Sequence, residues 1–224
     1  MTIILFIHVT FGTLAVLLGF LAITVRKGSK LHRKAGKGFV LTMLVMALCG
    51  GIMGLQLGQT INVMAAGLTC YLVITAWQAA TTQQVVRTPF SIVGFVFILS
   101  VALTGFIIGF QAMNSPEKTV AGFDYVAYFF IASIALLGGI LDSYMLIKKR
   151  LNGKQKLVRH IWRMSFSYFI AAGSLFTGPG AKAFPEYIQQ TGVLDFPEPL
   201  ILVFMLYWIV KTKFGKSIQK RVDV

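Results

Sequence analysis

Apolar residues come in blocks of roughly twenty, and the polar residues gather in the gaps between them. The blocks cover about residues 3–25, 38–58, 60–80, 90–112, 123–147, 160–178 and 198–213. None keeps the strict period of two that a membrane strand needs, so each reads as a helix. Such a helix matches the hydrocarbon core of a bilayer and satisfies its own backbone groups there. The pattern predicts an all-α, polytopic integral membrane protein, a single domain over residues 1–224 with seven transmembrane helices. The first five blocks are the plainest. The sixth carries Arg163 near its start. The seventh is uninterrupted only from Leu200 to Val210, so Lys211 and Lys213 have to snorkel to the interface.

Composition agrees with this reading. Of the 224 residues, 56% are hydrophobic and 12% charged, with a mean hydropathy of +0.77. A soluble domain carries roughly a quarter charged residues, so too little polar surface is present to coat a globule in water. The first block is too long for the core of a signal peptide and no basic residue precedes it, so it is expected to stay as a span. Cys49 and Cys70 both lie in apolar blocks and have no zinc-type spacing.

A net charge of +14 would suggest nucleic acid as a partner for a soluble protein. Placement removes that implication. With the N-terminus outside and the C-terminus inside, the cytoplasmic segments are 26–37, 81–89, 148–163 and 211–224. They hold nineteen of the 21 basic residues, all but Lys118 and Lys182, and five of the seven acids fall on the outer side. That asymmetry is the positive-inside rule. The partners it implies are the lipid bilayer and anionic lipid headgroups at the cytoplasmic face, with no nucleic acid. A homo-oligomer is left open.

Small residues at spacing four predict close helix packing: Gly50, Gly54 and Gly58 in the second block, Gly105 and Gly109 in the fourth, Ala135 and Gly139 in the fifth. Met43, Met46, Cys49 and Met53 form a sulfur row that fits gap-filling and, alternatively, Cu(I). In the longest outer loop, Pro185 to Gln190 predicts a short interfacial helical turn ended by Gly192.

Ionisable residues inside spans mark functional sites by default. His8 lies in the outer third of the first span, and Asp142 in the inner part of the fifth. His32 stands ahead of the second span and His160 opens the sixth, with Arg33, Arg159 and Arg163 beside them. On this topology His32, Asp142, His160 and Arg163 come to the cytoplasmic side. Histidines 32 and 160 suit the axial positions of haem b, with Arg33, Arg159 and Arg163 placed for its propionates. Alternatively His32, His160 and Asp142 make a metal shell, or His8 and Asp142 bind a proton or substrate. A further reading has Asp142 neutralising an arginine and the histidines sitting at headgroup level.

The segments His8-Val-Thr-Phe-Gly12, Leu31-His32-Arg33-Lys34-Ala35-Gly36 and Arg159-His160-Ile161-Trp162-Arg163-Met164 resemble, in that order, a family of bacterial membrane proteins, domain of unknown function 2306. The resemblance covers about two-thirds of the chain, by the count of spans one, two, five and six. It implies a multi-pass protein of the bacterial cytoplasmic (inner) membrane in which His8, His32 and His160 matter, and it implies no reaction. More distantly, the histidines are similar to those of cytochrome b561 and ferric-reductase-like haem proteins, although paired histidines deep in four core helices are missing. The function expected from the residues is a histidine-based redox or haem-binding membrane protein, its site near the cytoplasmic face. The alternative is a small transporter or membrane sensor using His8 and Asp142.

Overall fold

A computed structural model describes residues 2–83 and 86–215. The long helices are α1 (Thr2–Thr24), α2 (Lys30–Gln56), α3 (Thr60–Thr81), α4 (Pro89–Asn114), α5 (Tyr125–Lys148) and α6 (Gly153–Phe176). A four-residue helix α7 (Glu186–Gln189) between two 3-10 turns leads into α8 (Pro197–Phe214). Among the described residues the protein is all-α apart from one hairpin of two-residue strands and an isolated bridge between Val86 and Arg150, and six helices are long and apolar enough to cross a membrane: α1 to α5 and α8 with the turn before it.

Helix boundaries follow local capping chemistry rather than hydropathy. The second apolar block begins at residue 38, yet α2 begins at Lys30, because the Ser29 hydroxyl accepts from the His32 backbone N–H and closes the first turn. His32, Arg33, Lys34 and Lys37 are therefore helical residues and not loop residues. Likewise α6 starts seven residues ahead of its apolar block, at an Asn152–Gln155 capping box. Pro89 and the Thr88 hydroxyl start α4. Residues 123–124, taken from sequence as the start of the fifth span, pair instead as β2 (Phe123–Asp124) with β1 (Thr119–Val120). Ala121 and Gly122 between them both have positive φ, the mirror-image turn that suits a tight hairpin. The outer-loop turn forms as its residues predict, with Pro185 before α7 and Gly192 in the left-handed region.

The chain groups into two compact units, Met1–Ile74 with Val86–Arg150, and Thr75–Val85 with Leu151–Val224. In the first, α1 packs along α2 and α4 along α5, and small residues set how closely. A Cβ on Gly12 would stand 3.3 Å from Met46 Sδ, one on Gly38 2.9 Å from a Leu18 methyl, and one on Gly50 3.1 Å from the His8 ring. Gly105 faces Ala132 and Met64, and Gly109 the Phe129 ring. The packing role expected of these glycines holds. Gly58 differs: α2 ends at Gln56, and Gly58 turns the chain with a φ of +65°. The buried methionines 43 and 46 fill space, and both cysteines are free thiols.

In the second unit α6 packs along α8. Its buried side carries Arg159, Arg163, Ser167 and Ala171 at spacing four, so the polar ridge of this helix faces inward. Large apolar side chains such as Phe6, Leu41, Val93, Ile140, Ile147 and Val203 stand exposed on the long helices. In lipid such side chains make ordinary solvent contact, whereas in water each would be costly to expose. Lys216, Lys220 and Arg221 of the basic tail lie outside the described residues.

Candidate functional site

Three histidines stand on three helices, and each uses its ring in the same way. His8 Nδ1 donates to Met46 O at 2.8 Å, joining α1 to α2. His32 Nδ1 donates to Ala22 O at 3.0 Å, joining α2 back to the end of α1. His160 Nδ1 donates to Ala76 O at 3.1 Å, joining α6 to α3. A carbonyl only accepts, so each Nδ1 carries the proton. His8 and His32 thus fasten opposite ends of one antiparallel helix pair. Gly50 makes room for the first of these contacts, since a side chain there would meet the imidazole.

Lysines complete the pattern at the helix ends. The last carbonyls of a helix have no partner within it. Lys27 Nζ donates to Ala22 O at 3.2 Å, to Val25 O at 3.4 Å and to Ile23 O, closing α1. Burial lowers the pKa of its ammonium from the ordinary lysine value. Lys156 Nζ does the same beyond α3, donating to Thr82 O at 2.6 Å. Arg33 NH1 donates to Gly28 O at 2.6 Å and pins the turn before α2.

The charged groups away from the helix ends are the more unusual ones. Asp142 is 2% exposed, and its Oδ2 accepts from the Tyr71 hydroxyl at 2.6 Å. Tyr71, itself 4% exposed, also lies 3.3 Å from Gly138 O. Gly138 permits this approach, for a Cβ there would be 3.1 Å from the tyrosine ring. A carboxylate, a phenol and a bare glycine are therefore brought together between α3 and α5. In the other unit Arg163 is fully buried, donates to Thr75 Oγ1 and lies 5.1 Å over the Trp162 ring. Arg159, one turn earlier, is 5% exposed.

No protein-family profile, curated protein or solved structure matches the chain. The residues must carry the argument alone.

Among the described residues no group of three or more His, Cys, Asp or Glu is placed to hold a metal ion. His32, His160 and Asp142 do not form such a group. Nor does the Nδ1 bond single out His32 and His160 as axial ligands. A ligating imidazole is oriented by such a bond, but His8 makes it too, and helix pairing accounts for all three. Arg159 and Arg163, expected beside haem propionates, are both buried along α6. His8 and Asp142 occupy different parts of their helices, about 9 Å along α1 and about 25 Å along α5 by helical rise. Their contacts are with α2 and α3 respectively. Sequence reading missed Tyr71 and Thr75 altogether. A tyrosine and a threonine inside an apolar block carry no distinctive signal, since both are common in spans.

Proposed function

We propose that the protein is a small transporter of the bacterial cytoplasmic membrane that conducts protons, with Asp142 as the group that takes up and releases the proton. The observation that carries this reading is the Asp142–Tyr71 pair. An ionisable side chain inside a span is costly, up to about 3 kcal/mol at the helix centre on insertion scales. Its retention at 2% exposure, held by a hydroxyl, therefore argues for use. Tyr71 is the positioning residue: its O–H donates to the ionised carboxylate, and it can accept from the protonated one.

The proposal includes seven spans, α1 to α6 and α8, with the N-terminus outside. Basic residues support that arrangement, and so do the helix ends. The carbonyl ends of α1, α3, α5 and α8 fall on one side under it. Those ends carry Lys27, Lys156, Lys148, and Lys211 with Lys213. Positive charge there also answers the helix dipole. The amino ends of α2 and α6 fall on the same side and have no acidic residue in their first turns. There the dipole preference, about 0.3–1 kcal/mol per charge, yields to the rule that keeps lysine and arginine inside. α6 is too polar at its start to rank with the six apolar helices. It is nevertheless about 36 Å long by helical rise, and it runs antiparallel to α3 through Lys156–Thr82, His160–Ala76 and Arg163–Thr75.

Purified protein in vesicles with a trapped pH dye tests the function. Wild type should admit protons when a potential is applied, and Asp142→Asn, which keeps the shape and removes the titration, should abolish the flux. Tyr71→Phe should slow it roughly tenfold, the loss of one hydrogen bond to a charged group. Equal flux through wild type and Asp142→Asn would end this reading, and a Soret band in the purified protein would turn attention to the histidines. Orientation is checked separately by single cysteines, with Cys49 and Cys70 replaced. A thiol reagent that cannot cross the membrane should label Lys118→Cys in whole cells and leave Lys149→Cys unlabelled until the membrane is opened. The reverse pattern would invert the topology.

A further inference from the structure

One face of α8 forms an open groove lined by Val203, Leu206, Tyr207, Val210 and Lys211. These residues follow one another at steps of three, one, three and one, which places them on a single stripe of the helix. The stripe is apolar until its last turn, where Lys211 Nζ lies 3.1 Å from the Tyr207 hydroxyl and 4.8 Å over the Trp208 ring. Lys213 is in the same turn, its ammonium 5.5 Å over Phe214. The acid of α8 is Glu198 in its first turn, about 20 Å from Lys211 by helical rise. An apolar stripe that ends in an ammonium, a phenol and a second ammonium has the polarity of a phospholipid of negative charge, tail to tail and head to head.

We propose that this groove holds one anionic phospholipid, its acyl chain along Val203, Leu206 and Val210 and its phosphate at Lys211, Lys213 and the Tyr207 hydroxyl. Charge complementarity selects this occupant. The aromatic rings sit where tyrosine and tryptophan gather, at the boundary of hydrocarbon and headgroup, and lysine side chains there are drawn to negative headgroups. A zwitterionic lipid fits the apolar stripe equally and gains less from the two ammonium groups. The preference for negative charge is therefore roughly fivefold for each lysine that reaches the phosphate. The site is independent of any role for Asp142 and needs only that α8 lies in lipid.

Delipidated full-length protein in a mild detergent, given phosphatidylglycerol or phosphatidylcholine and weighed intact by mass spectrometry, tests this. Wild type should retain one phosphatidylglycerol at least fivefold more than phosphatidylcholine. Lys211→Gln with Lys213→Gln should lose that preference, and Tyr207→Phe, which keeps the ring, should weaken it. Lys154→Gln removes one charge at the start of α6 and should change nothing. Equal retention of the two lipids by wild type overturns the proposal, as does a preference that survives the double substitution. Lipid-free dimers that the double variant abolishes would also overturn it and give the groove to a second copy of the chain.

Discussion

Gly105→Leu is expected to destroy the fit of α4 against its neighbours and to lower the melting temperature more than any single exposed substitution. A Cβ at this position would stand 2.5 Å from Met64 Cε and 2.8 Å from Ala132 Cβ. The methionine end can swing aside, but Ala132 has no rotamer to change, and its Cα is only 3.4 Å away. Removing the clash requires α4 and α5 to separate, which opens space along the whole pair. Overpacking of this kind costs about 1–3 kcal/mol and sometimes more. Replacing a helical glycine returns about 1 kcal/mol of backbone entropy, so Gly105→Ala should cost a net loss of about 0–2 kcal/mol. Gly36 supplies the control: nothing lies within 4 Å of a Cβ there, and Gly36→Leu should melt at or slightly above wild type. Thermal loss of the monodisperse peak in detergent measures all three. Equal melting of Gly105→Leu and Gly36→Leu would show that α4 and α5 are not in close contact.

The second large effect is expected at Arg163. Its side chain is the largest among those fully buried, it donates to Thr75 Oγ1, and it lies across Trp162. Arg163→Ala leaves a void of several methylenes and removes the bond to Thr75 Oγ1, a loss of about 2–5 kcal/mol by analogy with large-to-small core changes. Arg163→Met restores most of the volume without the hydrogen bonds and should recover about half of that loss. The same melting assay reads both. If Ala and Met destabilise equally, the guanidinium contributes through its charge and hydrogen bonds and not through its volume, and if neither destabilises, Arg163 is not buried as described.

Much of the fold was legible in the residues, because lipid allows so few solutions. An uninterrupted apolar run of this length has to be a helix, and five of the seven runs coincide with helices at both ends to within a few residues. The misplaced boundaries have one cause. Hydropathy marks where a chain enters hydrocarbon, whereas a helix begins where its first N–H groups find an acceptor. Ser29 and Asn152 supply acceptors well before the apolar residues start, and the basic segments around His32 and Lys154 are drawn into helices by them.

The candidate site was legible only in part. His8, His32, Asp142, His160, Arg159 and Arg163 stand out because ionisable groups are scarce in spans, and all of them make specific contacts. Their partners do not stand out. Met46, Ala22 and Ala76 act through backbone carbonyls, which every residue possesses, so nothing in their identity announces the role. Tyr71 and Thr75 offer hydroxyls, but many tyrosines and threonines in spans bond only their own helix, as Thr42 does to Gly38 O.

By itself the sequence determined the solvent, the class of fold and the short list of residues worth testing. These depend on composition and spacing, and they survive any rearrangement of the helices. The tertiary structure decided which way each of those residues faces. It turned Arg159 and Arg163 inward, gave all three histidines to carbonyls of neighbouring helices, and set Asp142 against a tyrosine 71 positions away in the chain. Such choices rest on where glycines let two helices approach, and a linear pattern of apolar and polar residues does not contain that distance.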